Sequence, residues 1–118
     1  MQARPTRTTS HFDALDVSIE TISCLRGIVG VVRRYDRDLA DQLRRALSSI
    51  ALNIAEGDGS SGGNRIARFS TALGSTREAR AALRVAVAWG YVAAGDVEAG
   101  DAMLDRVAAM LHRLGAKR

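Results

Sequence analysis

The sequence predicts an all-α protein, an antiparallel up-down four-helix bundle. Three observations lead there. Apolar residues recur at spacings of three and four through four successive stretches, the period of a helix with one buried face. The composition is 47% apolar, rich in Ala, Leu, Ile and Val, with only 4% aromatic, which suits close helix contacts. The single proline is Pro5, so nothing after it is barred from a helix on that account. At 118 residues the chain suffices for one domain whose core needs no staples.

Residues 1–10 read as a flexible basic arm, with Arg4 and Arg7 among threonines and no apolar run of the kind a signal peptide needs. The bundle domain is expected over 11–118. Helix one is predicted from His11 to Arg34, with Phe12, Leu15, Ile19, Ile22, Leu25, Val29 and Val32 as its core line. A second line, Val17, Cys24, Ile28, Val31 and Tyr35, widens the apolar face, so it must touch more than one neighbour, in the bundle or in another subunit. Gly27 and Gly30 lower helix propensity and are expected where another backbone packs closely.

Either Asp36 or Asp38 can cap helix two. Leu39, Leu43, Ala46, Leu47, Ile50 and Ile54 then point to the core, and Gln42, Arg45, Ser49, Asn53 and Glu56 form the polar side. Gly57 is placed to be the left-handed residue that closes the helix. Glu56 sets a carboxylate at the negative end of the helix dipole, so it needs a cation, expected from Arg44, Arg45, Arg65 or Arg68. The Asp58–Gly63 stretch, rich in glycine and serine, is expected to be a mobile loop.

Helix three is predicted from a cap at Asn64 to Trp89, with Phe69, Leu73, Thr76, Leu83 and Val87 buried beside Ala72, Ala79 and Ala86. Gly74 in mid-helix is expected under a close helix crossing. Gly90-Tyr91 closes it, and Asp96 is the next expected cap. Helix four follows from Val97 to Leu114, with Met103, Leu104, Val107, Met110, Leu111 and Leu114 apolar, and ends at Gly115 before Lys117 and Arg118.

The usual catalytic constellations are missing. Cys24 is the only cysteine, which excludes an intramolecular disulfide and fits a reduced, cytoplasmic location. On an apolar helix face it reads as a small core residue. His11 and His112 lie far apart in sequence and make no metal site. Ser48 and Ser49 lack a histidine or lysine nearby to activate them, and the Gly/Ser loop lacks the lysine and strand of a phosphate-binding loop. Glu56 and Glu78 could meet between helices two and three, where such acids anchor arginines more often than they move protons. The expectation is a protein without enzymatic activity, cofactor or metal, and no stretch is apolar enough to span a membrane.

Charge is the stronger functional signal. The formal net charge is +4 and the pI about 10.2, which places polyanions among the candidate partners. Up to its last turn, which carries Arg33 and Arg34, helix one sets Asp13, Asp16 and Glu20 against only Arg26, whereas helix three sets Arg65, Arg68, Arg77, Arg80 and Arg84 against Glu78. Arg77, Arg80 and Arg84 form one stripe, which could track phosphates or pair with acids of helix one or a neighbouring subunit. Aromatic partners are nearly absent from the stripe, which argues against a platform that reads single-stranded bases and leaves backbone electrostatics as the binding mode.

The segment Leu39–Ala46, then Ser49-Ile50, Asn53-Ile-Ala-Glu-Gly57, Arg68-Phe69, Ala72-Leu-Gly-Ser75, Glu78, Leu83 and Gly90-Tyr91, resembles the bacterial four helix bundle protein family in order and spacing. That family includes proteins encoded in intervening sequences of large-subunit ribosomal RNA genes and the accessory variability determinant (Avd) of diversity-generating retroelements. The resemblance runs from helix one to the start of helix four. Three features depart from it: Ala51 stands where proline is usual, Arg80 where a polar or acidic residue is common, and the Gly/Ser loop is long. Asn53, Glu56, Gly57, Gly74, Ser75 and Glu78 form its structural signature, read as the crossing of helices two and three.

The resemblance implies a ring-like homo-oligomer, typically a homopentamer, and in the retroelement branch a basic accessory factor that binds nucleic acid and a reverse transcriptase. The leading expectation is therefore an oligomer that binds RNA or DNA through Arg33, Arg34, Arg37, Arg44, Arg45, Arg65, Arg68, Arg77, Arg80 and Arg84. The alternative is a protein–protein scaffold whose arginines are paired internally and which has no affinity for nucleic acid.

Overall fold

The computed structural model describes residues 11–117, with side chains from Ala14 onward. The expected basic arm and Arg118 lie outside the described residues, as do the side chains of His11, Phe12 and Asp13. Four helices follow in order: α1 (His11–Tyr35), α2 (Arg37–Asp58), α3 (Gly62–Ala88) and α4 (Ala94–Arg113). Each packs on its neighbours in a closed cycle, α1 on α2, α2 on α3, α3 on α4 and α4 on α1. Short connections make successive helices antiparallel, so the fold is an up-down four-helix bundle.

The helix ends follow local chemistry. Only Asp36 separates α1 from α2. Its Oδ1 accepts from the Leu39 amide at 3.0 Å, so Asp36 is the cap and Asp38 lies in the first turn. Gly90 (φ +80°) closes α3, with the Tyr91 amide donating to the Ala86 carbonyl and the Gly90 amide to that of Val87. Gly115 (φ +97°) closes α4 in the same way, through Ala116 to Leu111 and Gly115 to His112. Both are left-handed closures that a side chain would oppose.

Several expectations about ends are corrected. Gly57 lies inside α2 and has no positive φ; the helix continues to Asp58 and is followed by Gly59. Asn64 is inside α3, which starts at Gly62 after Ser61. The expected mobile loop shrinks to Gly59–Ser61, and Ser60 Oγ donates to the Glu56 carbonyl at 2.8 Å. Helix α4 begins at Ala94, and Asp96 acts from within its first turn, accepting from the Ala93 amide at 3.0 Å.

The core holds most of the predicted lines of α2, α3 and α4, although Val87 and Met103 are only half-buried. Leu43, Ile50 and Ile54 of α2 are buried against Phe69, Leu73 and Leu83 of α3, with Leu104, Val107 and Leu111 of α4 completing the interior. Helix α1 is rotated from its predicted register. Its buried line is Ala14, Val17, Ser18, Thr21, Leu25, Val29 and Val32, while Ile19 is 50% exposed and Cys24 lies at the surface. Two polar residues enter the core because the helix satisfies them: Ser18 Oγ donates to the Leu15 carbonyl and Thr21 Oγ1 to that of Val17, both at 2.7 Å. A hydroxyl bonded this way leaves a small apolar surface to pack.

Two glycines mark close approaches. A Cβ on Gly57 would meet Phe69 Cε1 at 2.5 Å, and one on Gly100 would meet Leu25 Cγ at 2.6 Å. The glycines singled out in the sequence behave otherwise. A Cβ on Gly27, Gly30 or Gly74 would find nothing within 4 Å, so among the described residues no backbone crosses closely there.

Candidate nucleic-acid interface

The ten candidate arginines fall into three groups once their surroundings are known. Three are held by carboxylates: Arg33 by Asp41 at 3.0 Å, Arg68 by Glu56 at 2.9 Å, and Arg80 by two acids of α4. Arg80 Nε and Nη2 grip Asp101 at 2.9 and 3.1 Å, and Nη1 reaches Asp105 at 2.9 Å. This fork raises the Arg80 pKa, chiefly through the Asp101 hydrogen bonds, and fixes a guanidinium that is already neutralised. Arg65 lies over the Phe69 ring, 5.0 Å from its centroid.

The other six, Arg34, Arg37, Arg44, Arg45, Arg77 and Arg84, are exposed and carry no ion pair among the described residues. They do not form one patch. Arg34 and Arg37 sit at the α1–α2 turn. Arg44 lines a depression with Ile22, Arg26, Val29 and Leu47 on the α1–α2 side. Arg45 borders a groove on the α2–α3 seam with Gln42, Ser49, Ser75 and Glu78. Arg77 and Arg84 flank Arg80 in an open cleft of about 720 Å³, with Asp101 on its far side. Among the described residues no ion pair joins this stripe to an acid of α1; the acids that hold Arg80, Asp101 and Asp105, belong to α4.

The signature residues cluster on the α2–α3 seam, with one exception. Ser49 and Ser75 share a hydrogen bond of 2.8 Å, and Asn53 Nδ2 donates to the Ser49 carbonyl at 2.9 Å and to its Oγ at 3.1 Å. Gly57 accepts the Phe69 ring, and Glu56 finds its cation in Arg68. Glu56 and Glu78 do not meet: Glu78 shares its groove with Arg45, eleven residues before Glu56 and roughly 16 Å away along α2. Gly74 is the exception, pointing into open space. The Ser49–Ser75 hydrogen bond and the Arg68–Glu56 ion pair tie α2 to α3 along this seam.

One grouping was hidden in the sequence. Tyr35, Tyr91 and Trp89 gather at the end of the bundle where α1 meets α2 and α3 meets α4. Tyr91 hydroxyl donates to Asp36 Oδ2 at 3.1 Å. Its pKa is raised, first by desolvation and then by the hydrogen bond and charge of Asp36. The only available hint was that all three aromatics stand at predicted helix ends.

Among the described residues no helix is long and apolar enough to cross a membrane. The family model described as 23S rRNA-intervening sequence protein matches residues 16–113. A solved protein of unknown function from the S23 ribosomal protein family of Bacteroides thetaiotaomicron is similar in structure, with a TM-score of 0.78 and 17% identity. The match covers 86% of this chain and 96% of that one, and at this identity it supports the fold alone. No curated protein matches the chain.

Proposed function

The chain belongs to the 23S rRNA-intervening sequence protein family, and from that premise we propose that it is a non-enzymatic, homo-oligomeric accessory protein that binds the backbone of RNA or DNA. The observation that carries this reading is the division of the arginines. Six exposed guanidinium groups have no carboxylate among the described residues, on a chain with a net charge of +4. Cations spread over several faces suit an extended polyanion better than a small ligand. A ring of copies, a pentamer by family resemblance, would repeat each face and multiply the contacts, and a reverse transcriptase is the protein partner that the same resemblance suggests.

The test combines light scattering with mobility-shift titrations of structured RNA and duplex DNA at two salt concentrations. The expected result is a particle several times the 12.6 kDa of one chain. Its affinity is expected to fall steeply with salt and to depend little on sequence. Absence of binding at low salt, with the oligomer intact, would leave the scaffold reading in its place.

A further inference from the structure

Three of the chain's five aromatic side chains meet at one end of the bundle, although 54 and 56 residues separate Tyr35 from Trp89 and Tyr91. The Tyr35 and Tyr91 rings stack with centroids 5.2 Å apart and planes 8° from parallel. Trp89 extends the array, 6.4 Å from Tyr91 and 18° from its plane. The central ring is fixed, because Asp36 takes the Tyr91 hydroxyl on Oδ2 and caps α2 with Oδ1. The outer rings are bare: Tyr35 is 64% exposed and Trp89 is 69% exposed. The core gains little from either, so the fold alone gives no reason to order such large apolar faces in water.

The charges beside the rings narrow the choice of ligand. Arg34 precedes Tyr35 and Arg37 follows it by two residues; both are exposed and carry no ion pair among the described residues, while Arg33 is occupied by Asp41. In the same turn Asp36 is held by the Leu39 amide and the Tyr91 hydroxyl, and Asp38 is the other acid. Parallel π-faces with unpaired guanidinium groups in that turn match planar bases strung on an anionic chain. An apolar protein anchor would use the rings but not the cations.

We infer that this end of the bundle is a stacking platform for unpaired nucleobases, with Tyr35 and Trp89 offering the ring faces and Arg34 and Arg37 meeting the flanking phosphates. The inference rests on the nucleic-acid reading above and adds to it a preference for single-stranded or looped segments. It also reverses the sequence expectation, which looked for aromatics along the Arg77–Arg84 stripe and not at the helix ends.

The test uses the full chain in its native assembly, with labelled oligothymidylate and an abasic oligomer of the same length and charge. Oligothymidylate is expected to bind about tenfold more tightly than the abasic strand and to quench the emission of Trp89, the only tryptophan. Trp89→Phe should keep most of that preference, whereas Trp89→Leu and Tyr35→Leu should each remove most of it. Equal binding of the two strands overturns the platform and leaves backbone binding standing; binding of neither at low salt overturns both. A preference that survives Trp89→Leu with Tyr35→Leu shows that the rings are not the base contact. If a leucine variant fails to fold, the wild-type comparison and Trp89→Phe still decide the matter.

Discussion

Gly57 shows how one residue can be read correctly as special and for the wrong reason. A glycine after Asn-Ile-Ala-Glu suggests a left-handed helix end, yet here it is helical and leaves room for the Phe69 ring, which is 0% exposed. The alanine variant must push a buried aromatic aside, so Gly57→Ala is expected to lose about 1–3 kcal/mol of stability. Gly74→Ala adds a methyl to open space on a helix, and should gain roughly 0.5–1 kcal/mol. Urea unfolding of the two variants reads both signs. A neutral Gly57→Ala would mean that Phe69 yields easily. Tyr91 carries a separate prediction. Its folded pKa lies above the ordinary value of 10.0, so its hydroxyl stays protonated in the folded chain at pH values that ionise the unfolded one. The stability linked to it is therefore present below pH 10.0 and lost as pH rises through the raised value. Asp36→Asn removes the neighbouring charge and should move the Tyr91 ultraviolet titration, isolated by difference from Tyr91→Phe, back toward 10.0.

At the scale of the element, α3 divides a single arginine stripe into different roles. Arg80 is spent on joining α3 to α4 through Asp101 and Asp105, whereas Arg77 and Arg84, three residues before it and four after it, remain exposed. Arg77→Ala and Arg84→Ala are each expected to weaken nucleic-acid binding and to flatten the log–log salt slope by about 1. Arg80→Ala should leave that slope unchanged and lower stability by at most about 1 kcal/mol, since its ion pairs are partly exposed. An equal slope change for all three would show that the α4 acids do not hold Arg80 away from the ligand. The core line of α2 was legible, because Leu39, Leu43, Leu47, Ile50 and Ile54 form one apolar line with polar residues opposite, and all five are buried. Helix α1 was not, because it has two competing lines. The bundle selected the face with Ser18 and Thr21, whose hydroxyls turn back on the helix, and left Ile19 outside.

For the whole molecule, the features that the single chain leaves unexplained are Ile19, Leu52 and Val85, which are 50%, 65% and 42% exposed, and three helical glycines with nothing near them. The homo-oligomer proposed above would give these surfaces neighbours, and light scattering decides whether it exists. The sequence by itself determined the number of helices, most of the core lines of α2, α3 and α4, the helix ends at Gly90 and Gly115, and the family. These follow from local periodicity, from residues in one turn, or from a motif within a few residues. Only the tertiary structure decided which face of α1 is buried, what Gly57 and Gly100 make room for, which arginines are neutralised, and that Tyr35, Trp89 and Tyr91 meet. Each of those depends on the rotation of one helix against another, and helical spacing constrains what shares a face without saying what that face will touch.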